Sequence, residues 1–597
     1  MWCWAVSLQP SRMVDVLERI VRAPVYSILG LVNGGKLLLY SNEEGVASLV
    51  LLDPSTGGKM RITREPILWV AKPPIKAHRV VYTKDVSGGR ELQQLFHYDV
   101  SSMREEPLAP MEPVRVFGVA DDGVNVAFTG VTKEDLAVYI SRRGSVEKVY
   151  RLPGLAIVSD VSGDLIVGFG ILAGNPLSME VFILDVSRGE FRVYTPRSGS
   201  VNKNPVIVGD NIVFESNAFS LKRNELLRLD LNTFEISKLE FKFKDYEEYA
   251  PVEHPLYKLQ DGRWVVVGKR EGRARLFLDG RLTYVADGVI NGAVYNEGRV
   301  YLSYTSLRMP SRLVELNLEQ GTESVILESR LPGDIEESFA NLGFTYVSSF
   351  DGVQIPVFYV ESRLAGRPGP TVIYVHGGPW DEVDSSWDAL IASLVATGFN
   401  VVAPNFRGST GYGEGFRQLD IGDPGGGDLE DVAVASRWAW ESGLADRLFI
   451  MGYSYGGYMT LWAMASKPDL YECGVAGASV ADWEEMYELS DAVFRFFIET
   501  LFAGNRELLR ERSPIHKVDS IRKPVCIIHP QNDTRTPLKP VLRLLNLMLE
   551  KGKVFEAHII PDMGHVVNTV EDAMRILLPG IMFLHRCLRK PYETSSR

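Results

Sequence analysis

The alternation of apolar and polar positions divides the chain into three parts. Residues Ser11 to Arg22 carry apolar side chains at helical spacing, with Ser11 as the expected cap and Pro24 as the stop. From about residue 25 to 332, short apolar runs are separated by Gly, Asp, Asn and Pro, which is typical of strands and turns. From residue 333 to 597, strands alternate with helical patterns. The sequence therefore predicts an N-terminal helix (1–24), an all-β domain (25–332) and an α/β domain (333–597).

The middle part contains a repeat. An apolar strand that ends in a small polar residue and a turn recurs at intervals of 38 to 49 residues, at Asp53, Asp99, Ser141, Asp185, Asp230, Asp279 and Asn317. A period near 44 residues is the length of one four-stranded propeller blade. An aspartate suits this place because its carboxylate can accept hydrogen bonds from turn N–H groups. Seven copies predict a seven-bladed β-propeller, the alternative being a pair of irregular β-sandwiches.

The C-terminal part begins with a hairpin signal at residues 350–352 and continues as alternating strands and helices. The predicted strands are Thr371–Val375, Asn400–Ala403, Leu448–Met451, Cys473–Ala476, Val525–His529 and Glu556–Ile560. The predicted helices are Asp388–Thr397, Leu429–Glu441 and Glu571–Leu588, the last kinked or broken at Pro579-Gly580. Such alternation implies a mostly parallel sheet with helices on both faces, with its site at the carboxyl ends of the strands.

One of these strands runs into the pattern G-x-S-x-G, from Gly452 to Gly456, and a helical pattern follows. This is the context of a nucleophile elbow, in which a sharp turn exposes a serine hydroxyl above the sheet. The sequence therefore predicts Ser454 as a nucleophile. The alternative is a Gly-rich surface turn.

A serine nucleophile needs a histidine base and a carboxylate, and in this fold the acid precedes the histidine along the chain. Four histidines follow Ser454 before the terminal helix, and His565 directly follows a strand on a glycine-bearing loop. His516 and His529 precede any suitable acid, and His558 lies inside a predicted strand. Asp533 also follows a strand, whereas the rival Asp562 lies on the same loop as His565. The predicted triad is Ser454, Asp533 and His565. The predicted oxyanion donors are the backbone N–H groups of Tyr455 and Gly378, with His376 bracing the loop.

Composition and charge exclude several functions. An apolar content of 45% and a charged content of 23% are those of a soluble globular protein. The net charge of −12 argues against nucleic acid or an anionic membrane as a partner. The four cysteines (Cys3, Cys473, Cys526 and Cys587) lack C-x-x-C spacing, so neither a disulfide framework nor a metal site is expected, and no cofactor is implied. The N-terminus is a poor signal peptide, and a cytoplasmic protein is expected.

Five motifs in order resemble the prolyl oligopeptidase family of serine peptidases. They are HGGPW, NFRGSTGYG, GYSYGGYMT, HPQNDTRTP and PDMGH. Within the family, the chain resembles the archaeal acylaminoacyl peptidases. The resemblance implies a seven-bladed propeller that caps an α/β-hydrolase domain, with the N-terminal helix docked on the hydrolase. It also implies removal of an N-acylated residue from short peptides, with accompanying esterase activity.

The resemblance also implies substrate-binding residues. Arg535 is expected to point into the site, and Phe494, Phe497 and Trp483 are expected to line or back an apolar pocket for the acylated residue. Ordinary core packing is the alternative for the three aromatic residues, and a surface ion pair is the alternative for Arg535. A homo-oligomer, specifically a dimer, is also expected.

Three other functions compete. A dipeptidyl peptidase of the same superfamily would hold a free α-amine with paired glutamates, and the candidates are Glu43-Glu44, Glu105-Glu106 and Glu247-Glu248. A carboxylesterase would use the same catalytic groups but usually needs only a small cap. An interaction platform with an inert hydrolase domain is disfavoured because the triad and both oxyanion elements are complete.

Overall fold

The computed structural model of the chain describes residues 9–72 and 76–589. It begins with helix α1 (Pro10–Val21), whose apolar stripe, Met13, Val16, Leu17, Ile20 and Val21, is buried as the sequence predicts. Ser11 is not the cap, because Pro10 occupies the first helical turn and Gln9 precedes it without a side-chain bond. Residues 1–8 lie outside the described residues. They include Cys3 and most of the N-terminal stretch that was considered as a signal peptide.

Seven four-stranded antiparallel sheets follow, and each uses four strands consecutive in the chain. Blade 1 contains β1 (Tyr26–Val32), β2 (Lys36–Ser41), β3 (Ser48–Leu52) and β4 (Lys59–Arg61). Blade 2 contains β5 (Ile67–Val70), β6 (Arg79–Asp85), β7 (Gln93–Asp99) and β8 (Arg104–Pro107). Blade 3 contains β9 (Arg115–Asp121), β10 (Val126–Val131), β11 (Leu136–Arg142) and β12 (Ser145–Arg151). Blade 4 contains β13 (Ala156–Ser162), β14 (Leu165–Gly170), β15 (Glu180–Asp185) and β16 (Glu190–Tyr194).

The remaining blades follow the same plan. Blade 5 contains β17 (Asn202–Val208), β18 (Asn211–Ser216), β19 (Glu225–Asp230) and β20 (Ile236–Lys238), and helix α2 (Asp245–Tyr249) follows it. Blade 6 contains β21 (Glu253–Gln260), β22 (Arg263–Arg270), β23 (Arg273–Leu278) and β24 (Arg281–Val285). Blade 7 contains β25 (Val289–Asn296), β26 (Arg299–Ser306), β27 (Met309–Asn317) and β28 (Thr322–Ser329). The predicted seven-bladed propeller is confirmed.

Every repeat position lies at the end of the third strand of its blade. In five blades its side chain accepts hydrogen bonds from the turn that follows, as Asp230 does from Asn232 N at 2.8 Å and Thr233 N at 2.9 Å. Asp279 differs, because it accepts from Trp264 N on the neighbouring strand. The repeat therefore marks a turn signal that most blades share.

In five of the seven neighbouring pairs of blades the first strands contact each other, which places the first strands on the inner side of the ring. Blade 7 closes on blade 1 through side-chain bonds. The Tyr26 amide donates to Ser311 Oγ at 3.0 Å, and the Ile28 amide donates to Ser303 Oγ at 2.9 Å. The ring is therefore closed by side-chain contacts between its first and last blades.

The C-terminal part contains one eight-stranded sheet in the order β29-β30-β32-β31-β33-β34-β35-β36. Its strands are β29 (Phe339–Ser348), β30 (Gln354–Ser362), β31 (Gly369–Val375), β32 (Asn400–Pro404), β33 (Ala445–Tyr453), β34 (Gly474–Gly477), β35 (Val525–Pro530) and β36 (Phe555–Ile560). The first two strands run antiparallel to their neighbours, and the remaining pairs are parallel. This is the predicted α/β-hydrolase sheet.

Helices cover both faces of this sheet, each over its own apolar core. They are α3 (Gly333–Glu336), α4 (Ala389–Ala396), α5 (Glu414–Arg417), α6 (Gly427–Glu441), α7 (Tyr455–Ser466), α8 (Trp483–Leu489), α9 (Ala492–Leu501), α10 (Arg506–Glu511), α11 (Leu538–Glu550) and α12 (Val570–Arg589). α1 packs against α4 and α12, on the hydrolase domain. α12 continues through Pro579 as one helix, so the predicted alternative of a break there is wrong.

A disulfide joins Cys473 and Cys587, which are 114 residues apart in sequence. The expectation that the cysteines form no disulfide is therefore wrong. The pairing arises because α12 packs over β34 and brings the two Cα atoms to 6.6 Å. Within the described ranges, no helix combines the length and the apolar character that a bilayer crossing requires.

Candidate active site

Ser454 lies between the last residue of β33 and the first residue of α7, at the carboxyl end of the sheet. Its backbone has φ 59° and ψ −120°, a conformation that costs energy in any residue with a side chain. A Cβ on Gly456 would overlap the Val375 carbonyl oxygen on the neighbouring strand β31. The glycine therefore lets α7 start close against the sheet, and the sharp turn lifts the serine hydroxyl above it.

The three predicted triad residues meet at one edge of the sheet. His565 Nε2 lies 3.0 Å from Ser454 Oγ, and His565 Nδ1 lies 2.7 Å from Asp533 Oδ2. Asp533 follows β35 and His565 follows β36, so parallel strands deliver both residues to the same edge. The hydroxyl, imidazole and carboxylate form the hydrogen-bonded series that activates a serine nucleophile.

The carboxylate of Asp533 is buried and strongly hydrogen-bonded. Oδ1 accepts from the amides of Arg535 and Thr536, each at 2.9 Å, and Oδ2 also accepts from Thr536 Oγ1 at 2.8 Å. Burial alone would raise the pKa of Asp533, but the charge of His565 and its hydrogen bond lower that pKa to about 2. The group is therefore ionised and can orient the imidazole at any physiological pH.

The other candidates for the acid and the base are not part of this hydrogen-bonded series. Asp562 is exposed, with φ 57°, and makes no hydrogen bond to His565. His529 is buried, and its Nε2 bonds the Thr536 carbonyl at 2.8 Å. It therefore supports the loop that carries the acid.

The glycine loop after β31 lies against the nucleophile. A Cβ on Gly377 would lie 3.4 Å from Ser454 Cβ. His376 holds this loop, since its Nε2 lies 2.8 Å from Ser409 Oγ and its ring stacks on Phe406 at 4.4 Å. In the part of the chain that the structure describes, the Gly378 amide has no hydrogen-bond acceptor.

Tyr455 supplies the other predicted donor. As the first residue of α7, its amide has no acceptor inside the helix. Its side chain is fixed separately, because the hydroxyl donates to Asp428 Oδ2 at 2.5 Å. Burial raises the pKa of Asp428 to about 6, although the Tyr455 hydroxyl opposes this. Tyr455 thus adjoins Ser454 in the chain, and Gly378 follows Gly377, the residue that lies against Ser454.

The three predicted pocket aromatics have different surroundings. Trp483 is fully buried and packs edge-on against Tyr458 at 5.0 Å and behind Tyr455 at 6.3 Å. Phe494 and Phe497 lie on α9, half-buried, with ring centres 6.3 Å apart. Trp483 can therefore only back the pocket, whereas the two phenylalanines have accessible surface.

Arg535 is engaged by the propeller. Its Nε and Nη2 donate to the two carboxylate oxygens of Glu91 at 2.7 and 2.8 Å. Glu91 lies on the loop between β6 and β7, and its other neighbour is Arg115, at 2.8 Å. Burial opposes ionisation of Glu91, but Arg535 and Arg115 lower its pKa. The resemblance implies that Arg535 points into the site, and the structure adds that a propeller carboxylate holds its Nε and Nη2.

Sequence reasoning missed Glu91 and its loop. The loop touches both catalytic loops, since Asn532 Nδ2 donates to the Gly88 carbonyl at 2.7 Å and a Cβ on Gly89 would overlap Gly564 next to His565. The run Ser-Gly-Gly-Arg-Glu at 87–91 is an ordinary glycine-bearing connection between two strands, so the sequence did not indicate this contact.

Among residues 9–72 and 76–589, two groups of side chains bring possible metal-binding atoms together, although the sequence shows no such cluster. They are Cys526 with Glu556 and His558, and Asp482 with Glu484 and His516. In the first group, both oxygens of Glu556 are bound by Arg586. Neither group includes a triad residue.

Comparison with known proteins agrees with this geometry. Residues 38–314 match the family model for the N-terminal domain of acylamino-acid-releasing enzyme-like proteins, and residues 385–591 match that of the prolyl oligopeptidase family, Peptidase_S9. Residues 385–591 are thus similar to the peptidase domain of the prolyl oligopeptidase family. This domain carries Ser454, Asp533 and His565.

Curated relatives match over part of their length. Dipeptidyl aminopeptidase BIII of Pseudoxanthomonas mexicana is 31% identical over 236 residues, which cover 38% of this chain and 34% of the relative. The acylamino-acid-releasing enzyme of Arabidopsis thaliana is 26% identical over 235 residues, which cover 36% of this chain and 31% of the relative. The matched stretch thus spans about a third of the length of these relatives.

Solved structures match over nearly the whole chain. A puromycin-hydrolysing peptidase of Mycobacterium tuberculosis has a TM-score of 0.79 at 18% identity, with 96% of both chains covered. The acylaminoacyl peptidase of Pyrococcus horikoshii has a TM-score of 0.70 at 17% identity, covering 97% of this chain and 98% of the other. At such identities these structures show a common fold for propeller and peptidase domain together.

Proposed function

We propose that this protein hydrolyses short N-acylated peptides and releases the N-acyl amino acid, with accompanying esterase activity. Ser454 is the nucleophile, His565 is the general base and acid, and Asp533 orients His565. The amides of Gly378 and Tyr455 stabilise the oxyanion. The hydrogen-bonded series from Ser454 to Asp533 supports hydrolysis through a serine nucleophile. The ion pairs that neutralise Glu91 support a substrate with a blocked N-terminus over one with a free α-amine.

Acylation follows from the distances in the site. Ser454 Oγ attacks the carbonyl carbon of the scissile bond while His565 Nε2, 3.0 Å away, takes the hydroxyl proton. The carbonyl oxygen becomes an oxyanion between the two amides. The C–N bond then breaks, and His565 gives its proton to the leaving peptide amine. The N-acyl amino acid remains as an ester on Ser454.

Deacylation uses the same groups in reverse. His565 removes a proton from water, whose oxygen attacks the ester carbonyl, and the proton then returns to Ser454 Oγ as the C–O bond breaks. Asp533 stays ionised throughout, because its low pKa, about 2, keeps the negative charge next to the imidazolium. A simple ester enters the same cycle, which is why esterase activity is expected.

The state of the propeller carboxylates favours a blocked N-terminus over a free one. A dipeptidyl peptidase needs carboxylates that are available to an α-ammonium group. Glu91, the propeller carboxylate in contact with Arg535, is neutralised by Arg535 and Arg115. In two of the candidate glutamate pairs one member is already in an ion pair, Glu43 with Lys59 and Glu105 with Lys84. Glu247 and Glu248 lie on the short helix α2.

The propeller also favours peptides over large proteins. Its blades sit over a serine that is half-buried, and blade 2 contacts both catalytic loops. We infer that the propeller limits entry by size, so that folded proteins and long chains are poor substrates. Carboxylesterase activity alone is the second candidate, because ester hydrolysis needs the triad but not such a lid.

Steady-state rates on three matched substrates test the proposal. They are an N-acetyl dipeptide, the same dipeptide with a free α-amine, and a short-chain aryl ester. We expect the acetylated peptide to be cleaved with a kcat/KM well above that of the free-amine peptide, together with measurable ester hydrolysis. The reverse order of the two peptides would establish a dipeptidyl peptidase, and ester hydrolysis alone would establish a carboxylesterase.

The short N-acylated peptide is the expected partner of this site. A homo-oligomer, specifically a dimer, a cytoplasmic location and the archaeal subtype stay predictions. Sedimentation velocity at several protein concentrations would test the dimer directly.

A further inference from the structure

Trp380 follows the glycine loop by two residues and is held from three sides. Its ring meets Phe497 of α9 nearly edge-on, with ring centres 5.5 Å apart. Its indole Nε1 donates a hydrogen bond to Asp420 Oδ1 at 3.2 Å. The guanidinium of Arg417 lies over its ring at 5.4 Å. The side chain is only half-buried, so one surface of the ring remains accessible beside Phe497.

Asp420 has no visible role other than this contact. It is completely buried, and its Oδ2 has no hydrogen-bond partner within residues 9–72 and 76–589. The backbone makes room for it, since a Cβ on Gly408 would lie 2.5 Å from the Asp420 carboxylate. A buried carboxyl group without a full set of partners is costly, so its retention here calls for a reason.

Arg417 connects the same tryptophan to the propeller. Its Nε donates to Glu414 Oε2 at 2.6 Å, and the other oxygen of Glu414 pairs with Lys203 of β17. Both Glu414 and Arg417 are buried. The orientation of the guanidinium over Trp380 is therefore fixed by an ion pair that crosses the domain interface.

We propose that Trp380 forms a wall of the pocket for the acylated residue, facing Phe497, and that Asp420 is the positioning residue that sets the angle of the indole ring. Trp380 is placed by its neighbours between the oxyanion loop and α9, so a rotation of its ring would change the pocket width next to Ser454. The pocket would thereby select among acylated residues by size. This inference rests on the proposed function.

The expected size of the change in KM depends on the protonation state of Asp420. Burial, and then the charge of Asp428, raise the pKa of Asp420 to about 8, so near neutral pH the bond to Trp380 is mainly between uncharged groups. Losing a hydrogen bond between uncharged groups corresponds to a factor of about 2 to 13 in an equilibrium constant. Because the substrate must then order the ring itself, this factor is expected in KM rather than in kcat.

The test compares Asp420→Asn, which keeps an oxygen acceptor, with Asp420→Leu, which removes it. Trp380→Phe removes the indole donor, and Trp440→Phe, at an exposed tryptophan on α6, is the control for loss of a tryptophan. Steady-state kinetics are measured on acetyl-peptides whose acylated residue is Ala, Leu or Phe. The Trp380→Phe/Asp420→Leu double variant completes a cycle.

We expect Asp420→Leu to raise KM about 2- to 13-fold for the Phe and Leu substrates, with kcat and the Ala substrate nearly unchanged. Asp420→Asn should restore wild-type selectivity, and adding Asp420→Leu to Trp380→Phe should change little further. Equal losses on all three substrates, an Asn variant as poor as the Leu variant, or full additivity in the double variant would overturn the proposal.

A second measurement separates this inference from the proposed function. Each variant is labelled at Ser454 with a small fluorophosphonate, and N-acetyl-Phe and N-acetyl-Ala are compared as protecting ligands. We expect unchanged labelling rates and a selective loss of protection by N-acetyl-Phe in Asp420→Leu. If the wild type cleaves no acyl-peptide although Ser454 is labelled, the proposed function is wrong. If it cleaves them and the variants protect and select like wild type, only the role of Asp420 is wrong.

Discussion

The propeller and the peptidase domain differ in how far apart in sequence their important contacting residues lie. Each blade uses four strands consecutive in the chain, and in five blades the repeat side chain accepts a hydrogen bond from residues two or three positions ahead. The catalytic series joins Ser454, Asp533 and His565, which are separated by 111 residues between Ser454 and His565 and by 32 between Asp533 and His565. Contacts between neighbouring stretches of the chain thus form the blades, whereas contacts between distant stretches bring the triad residues together.

The two domains meet through propeller residues that lie on loops and on strands alike. Glu91 lies on the loop between β6 and β7, and Lys203 lies on the first strand of blade 5. Glu91 holds Arg535, and Lys203 holds Glu414. These contacts depend on how the domains pack and do not follow from a residue's place in the blade repeat.

The largest expected effect lies wholly in the peptidase domain. Ser454→Ala should lower kcat on the order of 10⁴- to 10⁶-fold, because the nucleophile is lost while its backbone turn does not depend on Oγ. Rate measurement together with circular dichroism checks this. Activity equal to wild type in a folded variant would remove Ser454 from the mechanism.

The choice of acid should produce the next effect. Asp533→Asn should lower kcat on the order of 10⁴-fold, since the amide cannot hold His565 in the required tautomer. Asp562→Asn, at an exposed position on the same loop as His565, is the matched control and should stay within about twofold of wild type. If the two variants show the opposite order, the acid has been assigned wrongly.

A substitution of Arg535 tests whether this residue, which the propeller residue Glu91 holds, contacts the peptide substrate. Arg535→Ala should lower kcat/KM on acyl-peptides by about 10- to 150-fold, the range for a charge-assisted hydrogen bond, with little change on short-chain esters. Nη1 is the group available for this contact, because Nε and Nη2 are held by Glu91. Arg522→Ala, at an exposed ion pair with Asp469, is the control. A parallel fall on both substrate classes would mean that Arg535 only supports the triad loop.

A substitution of Glu414 tests the second contact between the domains, its ion pair with Lys203. Burial would raise its pKa, but Lys203 and Arg417 lower it to about 2. A depressed carboxylate pKa stabilises the fold above the unfolded value, near 4.5, and this stabilisation is lost as the pH falls toward 2. The shift corresponds to about 3 kcal/mol at neutral pH, or about 2–3 °C in Tm for a chain of this length.

Calorimetry of Glu414→Gln should therefore show a Tm about 2–3 °C below wild type at pH 7, with the difference shrinking below pH 4.5. Glu240→Gln, at an exposed propeller position, is the control and should match wild type at each pH. A difference that is independent of pH would mean that the charge of Glu414 does not link the domains.

The smallest expected effect concerns metal ions. Treatment with EDTA should leave kcat/KM unchanged, because the proposed cycle needs only the triad and two amides. The two groups of possible metal ligands, at Cys526 and at Asp482, contain no triad residue. A loss of activity that added Zn²⁺ restores would assign a metal ion a role in the site.

Most of the fold was predictable because its signals are local. The blade repeat placed all seven third-strand ends, and the predicted strands of the peptidase domain agree with β31 to β36 within a few residues. The helices α8, α9, α10 and α11 were not predicted. The first three are short, of 6 to 10 residues, so a helical period had little length in which to show. Length does not explain the omission of α11, which has 13 residues.

The sequence by itself predicted the number of blades and the elbow, and it selected Ser454, Asp533 and His565, which the structure brings within hydrogen-bonding distance. Periodicity, glycine spacing and chain order are properties of neighbouring residues, and the backbone responds to them directly. Only the tertiary structure decided that Cys473 pairs with Cys587, that Glu91 holds Arg535, and that Asp420 anchors Trp380. Glu91 and Arg535 are 444 residues apart, and their contact depends on how two separately folded domains pack together. No local pattern encodes such a contact.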